Sequence, residues 1–255
     1  MSTINNLLFE QEVMEKLTLA QIVSKDFRTA SVFEKYNLDF CCKGNKSFEE
    51  ACKDQGLNEK EILSEIANMD KGPDRNSMRY DSWQLDFLVD YIVNNHHHYV
   101  KEAIPVIAAH STKVAAVHGK NHPETIEAAR IFSIVYKELK QHLMKEEELL
   151  FPHIKYLVKV KNNESKYERP FFGSVSNPIK TMEAEHVAAG DGMFDIRKLT
   201  DNYAIPPDAC NTYSVYYKEL KEFEEDLHKH VYLENSILFP KAIALEEKLS
   251  QNLAM

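Results

Sequence analysis

Two stretches of the chain repeat one pattern: His142-Leu-Met-Lys-Glu146-x4-Phe151-Pro152 and His230-Val-Tyr-Leu-Glu234-x4-Phe239-Pro240, with every shared element recurring after 88 residues. On an α-helix, side chains four residues apart lie on the same face, one above the other. A His and a Glu so placed offer an imidazole nitrogen and a carboxylate oxygen, the ligand mixture of non-haem iron, manganese and zinc centres. The repetition predicts one metal site shared between two similar helical hairpins.

The His-x3-Glu spacing alone is weak evidence, because a chain with 11 His and 27 Glu acquires such pairs by chance. A third pair, His98 and Glu102, lacks the Leu-Phe-Pro ending that the other two pairs share. We therefore predict a metal role for the pairs at 142/146 and 230/234, and none for the pair at 98/102.

The composition favours an acidic helical protein. Only 7 Gly and 9 Pro in 255 residues fit long helices better than turn-rich β architecture. The net charge of −9 argues against a nucleic-acid partner. The chain has no apolar run long enough for a transmembrane helix, and residues 1–15 lack an apolar signal core. We expect a cytoplasmic protein without a membrane partner, whose four cysteines stay reduced.

The chain is expected to form two domains. Residues 1–72 are predicted to be a small helical domain, with helices over 17–36, 47–52 and 58–69 that start at cap-like residues. Lys71-Gly72-Pro73-Asp74 is a breaker cluster and predicts a linker. Residues 78–250 carry four long helical patterns, helices A to D, which predict a four-helix bundle.

Breaker residues place the ends of these helices. Pro105 should kink or end helix A, and helix B should open after His122-Pro123. Helix C should start at Asn177-Pro178, a cap followed by proline at the first helical position. Helix D should follow Pro206-Pro207-Asp208.

Each helix places one His on its apolar stripe, and helices B and D add a Glu one turn later. These six residues are His97, His142, Glu146, His186, His230 and Glu234. The repeat extends to the first pair of histidines, because His186 follows His97 by 89 residues. Polar groups are costly to bury unless they are paired or bind a metal. A bundle that buries the four stripes would direct all six side chains inward.

Six ligands on four helices fit two ions better than a structural zinc, which usually closes with four ligands rich in Cys. We predict a di-iron centre bridged by Glu146 and Glu234, with manganese open. A ferritin-like centre is the alternative, using Glu183-x-x-His186 and Glu225-x-x-His228. Those two glutamates follow a charged pattern that a solvated face explains better.

Several motifs resemble those of hemerythrin-like bundles. They are Asn95-His96-His97-His98-Tyr99, Glu185-His186-x3-Gly190 and the two His-x3-Glu stretches. Asn37-Leu38-Asp39-Phe40-Cys41-Cys42-Lys43-Gly44 is similar to the vicinal-Cys motif of one such family, the repair of iron centres proteins. The resemblance covers nearly the full length. It implies an all-α fold, with a hemerythrin-like four-helix bundle after a small helical domain.

The resemblance also implies a function. The six residues above would hold two iron ions, bridged by oxygen or carboxylate, and His118 matches a further family His near the site. His96 is the alternative to His97, since it also lies near an apolar stripe. The family restores iron–sulfur clusters damaged by nitric oxide or oxidants, which makes damaged iron–sulfur proteins the expected partners. Nitric oxide or oxygen would be small ligands, and a homodimer is open.

Two features bear on how iron would be handled. Oxygen-carrying hemerythrins have His-x3-His on the third helix, whereas this chain has Gly190 at the second position. The missing imidazole should leave a coordination position open and weaken iron retention. Cys41 and Cys42 are either ordinary thiols or take part in thiol or iron transfer, which a lowered pKa would help. Cys52 and Cys210 are expected to be structural.

Three functions compete. We expect an iron donor for damaged clusters rather than a turnover enzyme. A di-iron nitric oxide reductase would need an electron source, and the chain has no Gly-x-Gly-x-x-Gly motif for a nucleotide cofactor. A sensor of oxygen or nitric oxide would need an output segment, and the sequence contains none that we recognise.

Overall fold

The computed structural model describes residues 16–69 and 80–251, and these residues are all-α apart from one isolated bridge between Thr18 and Ser47. They divide into two compact units between Ser82 and Trp83. The predicted fold class is confirmed. The linker at Lys71-Gly72-Pro73-Asp74 and the segment 1–15 lie outside the described residues, and the domain bounds 1–72 and 78–250 stay predictions.

The described residues of the first unit form four short helices. They are α1 (Leu19–Lys25), α2 (Thr29–Lys35), α3 (Phe48–Gln55) and α4 (Glu59–Asn68). The side chains of Thr18 and Ser47 cap α1 and α3 in capping boxes, and Asn58 caps α4. The prediction of one helix over 17–36 is wrong. Asp26 accepts the Arg28 backbone N–H at 3.0 Å, an Asx-type turn that ends α1 and allows α2 to start in a new direction.

The second unit is the four-helix bundle, preceded by a 3₁₀ turn at Tyr80–Ser82. Helix A comprises α5 (Leu85–Tyr91), a π segment (Ile92–His97) and α6 (His98–His118), and helix B comprises α7 (Glu124–Lys145), a π segment (Glu146–Leu150) and α8 (Phe151–Lys161). Helix C is α9 (Ser176–Leu199), and helix D comprises α10 (Asn211–Leu233), a π segment (Glu234–Leu238) and α11 (Phe239–Gln251). Helices A and C each pack against both B and D. None of these helices is both long and apolar enough to cross a bilayer.

Two predicted helix ends differ from the structure. Pro105 does not end helix A, because α6 runs through it to His118. A proline removes one backbone hydrogen bond, and the buried Ile104 and Ile107 on either side hold the helix in the bundle. Helix C begins at Ser176, so Asn177 lies in its first turn instead of capping it. The buried Glu246 accepts the Val175 N–H at 2.9 Å and supplies the missing cap.

The three π segments were not predicted from the sequence. In helices B and D, the Phe151 and Phe239 N–H groups donate to the carbonyls of Glu146 and Glu234, five residues back. Prolines 152 and 240 follow directly, and a proline ring clashes with the carbonyl four residues earlier in a regular α-helix. The wider turn ahead of each proline relieves this clash. It also buries Leu150, while Leu149 is only half-buried.

Candidate metal centre

The structure brings all six predicted ligand residues together in the centre of the bundle, where each is buried. They form two overlapping groups whose ligand atoms lie within 4.8 Å of one another. Position 1 is formed by His97, Glu146, His230 and Glu234, and position 2 by His142, Glu146, His186 and Glu234. Glu146 and Glu234 belong to both groups. Each position therefore takes one His from each half of the bundle.

The imidazole Nε2 atoms surround the two carboxylates. Glu146 Oε2 lies 3.2 Å from His142 Nε2 and 3.4 Å from His97 Nε2. Glu234 Oε1 lies 3.1 Å from His230 Nε2, and its Oε2 lies 3.1 Å from His186 Nε2. The bundle thus places the carboxylate of helix B between helices A and B, and that of helix D between helices C and D.

Three of the four histidines have a fixed orientation, because Nδ1 donates to an acceptor on the neighbouring helix. His97 Nδ1 contacts Glu147 at 2.8 Å, and His142 Nδ1 contacts Glu185 at 3.0 Å. His186 Nδ1 contacts the Asn235 side-chain oxygen at 2.9 Å. With Nδ1 protonated, Nε2 carries its lone pair toward the centre, which is the arrangement of metal-bound imidazoles.

Two observations test whether this group of residues fits a metal. His142 Nε2 and His186 Nε2 face each other at 3.1 Å because both Nδ1 atoms donate elsewhere, and this approach is favourable only with a proton or a metal ion between them. Both oxygens of Glu146 and the Nε2 of His97 are buried without a hydrogen-bond partner among the described residues. Such groups are costly to bury in this state. A bound cation removes both costs, so the residues fit metal ions.

Protons compete with metal ions at this site. Burial alone would lower the pKa of His97, but Glu146 and Glu234 outweigh it and raise the pKa to about 10. The pKa of His142 rises to about 9, because Glu146 and Glu234 outweigh burial there as well. The pKa of Glu234 lies well below its usual value because the surrounding imidazoles outweigh burial. Metal binding therefore has to displace protons from imidazoles.

The structure explains the Phe-Pro ending of the repeated motif. Phe151 on helix B packs against His97 on helix A, with ring centroids 5.3 Å apart. Phe239 on helix D packs in the same way against His186 on helix C, at 6.0 Å with parallel rings. Each His-x3-Glu motif therefore supplies two ligand side chains and an aromatic wall for the His of the preceding helix.

Other predicted candidates lie elsewhere. His118 lies at the end of α6, about 30 Å along the helix from His97. Its Nε2 is 3.2 Å from Sγ of Cys210, which is exposed. Glu183 and Glu225 of the ferritin-like alternative are also exposed. The structure therefore leaves His118 and the ferritin-like glutamates out of the cluster.

His96, the alternative to His97, is buried beside the cluster but belongs to neither group. Its Nδ1 pairs with Asp226 at 2.8 Å. Sequence periodicity could not place His96 because the π segment Ile92–His97 turns both His96 and His97 inward.

The paired thiols of the first unit lie next to a carboxylate. Asp39 Oδ1 accepts the backbone N–H groups of Cys41 and Cys42 at 3.1 and 2.8 Å. Asp39, Cys41 and Cys42 are close enough for a metal ion to contact all three. The pKa of Cys41 is held well above its ordinary value by the Cys42 thiol and by burial. The lowered pKa that would help thiol chemistry is therefore not found at Cys41.

Sequence reasoning missed the partners of the ligand histidines. Glu147 and Asn235 directly follow the two ligand glutamates, and Glu185 directly precedes His186. All three were part of the motifs that carried the resemblance, but spacing assigned them no role. The matching places of Glu147 and Asn235, 88 residues apart, were the signal that could have found them.

Comparison with known proteins agrees with this geometry. Residues 88–242 match the hemerythrin HHE cation binding domain, and residues 15–70 match a domain of unknown function, DUF542. A probable iron-sulfur cluster repair protein of Haemophilus influenzae is 33% identical over 213 residues, 83% of this chain and 90% of that protein. The iron-sulfur cluster repair proteins YtfE of Enterobacter sp. strain 638 and Cronobacter sakazakii are 32% and 34% identical. The match to the Enterobacter protein covers 89% of this chain and 97% of that protein. The match to the Cronobacter protein covers 86% of this chain and 93% of that protein. The chain therefore belongs to the iron–sulfur cluster repair family that its motifs indicated, the repair of iron centres proteins.

Proposed function

We propose that this protein restores damaged iron–sulfur clusters by donating iron from a labile di-iron centre. The relatives are named for cluster repair, and the six central side chains form two adjoining ion positions. The ligands of the cargo are His97, His142, His186, His230, Glu146 and Glu234. Bound ferrous iron would supply the metal that a damaged cluster has lost.

The observation that carries the proposal is the convergence of four imidazole Nε2 atoms on two buried carboxylates. His142 and His186 place their Nε2 atoms 3.1 Å apart, within reach of one ion. Glu146 and Glu234 bring two negative charges into the same volume, each shared by both positions. Ligands shared by two like-charged ions hold both, yet the repulsion between the ions favours release of one. This balance suits a donor better than a permanent cofactor.

A reactivation assay with a matched control tests the proposal. A dehydratase whose [4Fe-4S] cluster was inactivated by nitric oxide is mixed with the iron-loaded protein, with and without a ferrous chelator. We expect recovery that the chelator blocks, and loss of recovery in the His142→Ala/Glu146→Gln variant. The His98→Ala/Glu102→Gln variant has the same spacing on an exposed surface and should behave as wild type.

Measuring nitrous oxide alongside the recovery distinguishes the iron donor from the alternative, a nitric oxide reductase. Steady conversion of nitric oxide to nitrous oxide with a reductant, at a rate that accounts for the recovery, would replace the donor proposal. Recovery without iron transfer from the protein would also refute the donor proposal.

The vicinal thiols of the first unit would assist the iron transfer. We propose that Cys41 and Cys42 take part in thiol or iron transfer, with Asp39 as a neighbouring oxygen ligand. Because Cys41 is buried and its pKa is raised, this role requires local opening of the first unit. A Cys41→Ser/Cys42→Ser variant should keep its bound iron and lose part of the recovery rate. The cytoplasmic location, nitric oxide or oxygen as ligands, and a homodimer stay predictions.

A further inference from the structure

The two ion positions are related by the internal repeat, which allows a residue-by-residue comparison of their surroundings. His97 and His186 correspond at an offset of 89 residues, and His142 and His230 at an offset of 88. The residues behind the ligands correspond in the same way. Glu147 behind His97 is matched by Asn235 behind His186. The partner of His142 is Glu185, and the residue 89 positions before Glu185 is His96.

The repeat breaks at His96. Where His142 donates its Nδ1 proton to Glu185, His230 faces an imidazole whose Nδ1 is already paired with Asp226 at 2.8 Å. The rings of His96 and His230 lie nearly parallel, with centroids 5.6 Å apart. Nδ1 of His230 is buried, and it has no hydrogen-bond partner among the residues that the structure describes. The ring of His230 is therefore held by packing and by the contact of its Nε2 with Glu234 Oε1 at 3.1 Å, without a hydrogen bond at Nδ1.

This difference affects one position only. Position 2 has two oriented imidazoles, His142 backed by Glu185 and His186 backed by Asn235. Position 1 has one imidazole oriented in this way, His97 backed by Glu147, while Nδ1 of His230 has no such partner among the described residues. A hydrogen bond at Nδ1 fixes the ring and makes Nε2 more basic, and its loss usually weakens metal binding about 10- to 100-fold.

We propose that the two positions are unequal and that the ion held by His97 and His230 is the one released. This inference rests on the proposed donor function and specifies which part of the centre performs it. Position 2 retains its ion because both of its histidines are oriented. His96 causes this inequality because it occupies the place that Glu185 has in the other half, and it does not accept a hydrogen bond from Nδ1 of His230. The protein would then donate one iron per cycle and keep a second ion at the centre.

The test is the release of iron from the full chain, loaded anaerobically with ferrous iron, into an excess of ferrous chelator. We expect two phases of equal amplitude, one iron each, with rates about 10- to 100-fold apart. His96→Gln places an amide oxygen where Glu185 stands in the other half, and it should slow the fast phase about tenfold. Glu185→Ala and Asn235→Ala should each accelerate the slow phase toward the fast one. His98→Gln, at the exposed neighbouring position, should change neither phase.

Several results would overturn the inference. One is release of both irons in a single phase from the wild type. Another is acceleration of the fast phase by Glu185→Ala or Asn235→Ala while the slow phase stays unchanged. If His96→Gln does not fold, these two variants of the other half still decide the matter. The chelator experiment needs no client protein, so two-phase release without cluster recovery would refute the donor function and leave the inequality intact.

Discussion

The His-x3-Glu pairs at 98/102 and 142/146 have identical spacing and opposite surroundings. The side chains of His98 and Glu102 are 66% and 71% exposed, with 3.4 Å between Nε2 and Oε1. Those of His142 and Glu146 are 1% and 0% exposed, with a similar separation of 3.2 Å. Spacing therefore orients two side chains toward each other, but burial beside further His and Glu side chains is what fits the pair at 142/146 for a metal ion. In water, the exposed pair contributes little.

The largest expected effect is on iron content, which should differ between the variants Glu146→Gln and Glu102→Gln. Glu146→Gln removes a charge shared by both positions, so we expect the iron content to fall from two ions per chain to nearly none. The loss of affinity should exceed the roughly 100-fold typical of losing a ligand's hydrogen-bond partner. Glu102→Gln should leave the content unchanged. Metal analysis after gel filtration measures both, and equal iron content in the two variants would contradict the assignment.

The pH dependence of iron binding is the next largest effect. The raised pKa values of His97 and His142, about 10 and about 9, keep both imidazoles protonated at neutral pH in the ion-free protein. Binding displaces two protons, so the apparent affinity should rise up to about 100-fold per pH unit between pH 6.5 and 8.5. Chelator competition at several pH values measures this slope. His142→Ala should reduce the slope by about half, while His98→Ala should leave it unchanged.

Removing the ions should lower thermal stability in proportion to their binding. An ion at about 100 times its Kd stabilises the folded state by about 2.7 kcal/mol, which corresponds to a Tm shift of about 5–10 °C for a bundle of this size. Thermal denaturation with and without chelator measures the shift. The variant at 98/102 should keep it and the variant at 142/146 should lose it. A shift retained by both would place the stabilising ion elsewhere.

The smallest effect concerns the imidazole that oxygen carriers have and this chain lacks. Gly190→His adds a potential ligand one turn after His186 on helix C, beside position 2, and we expect the slow phase of iron release to become several-fold slower. The release into a ferrous chelator, timed beside wild type, measures this. Equal rates would show that the open position does not control release.

The sequence predicted the parts of the site that follow helical periodicity. All six ligand residues lie on stripes with steps of three and four, so their convergence followed once a bundle was assumed. The starts of helices B and D were also predicted, because prolines mark them. The pair at 142/146 was separated from the pair at 98/102 by the Leu-Phe-Pro ending, which the pair at 98/102 lacks.

The rest depends on interactions that no local pattern contains. Glu185 reaches His142 from another helix, and Glu147 reaches His97, so their roles appear only when helices pack. His118 matched a family motif, but the length of α6 carries it to the far end of the bundle. Of the two effects predicted for Pro105, a kink or an end of helix A, the end is not found, because tertiary packing outweighs the local cost of the proline.

The π segments of helices B and D amount to one extra residue at each ligand glutamate. An α-helix advances about 100° per residue, so the turns before and after each segment are out of phase by that angle. Deleting Leu149 would restore continuous winding and rotate everything beyond it by the same amount. Phe151 would then turn away from His97. In helices B and D, the residues after each π segment are therefore rotated about the helix axis relative to the residues before it. The two ion positions lie where this rotation occurs.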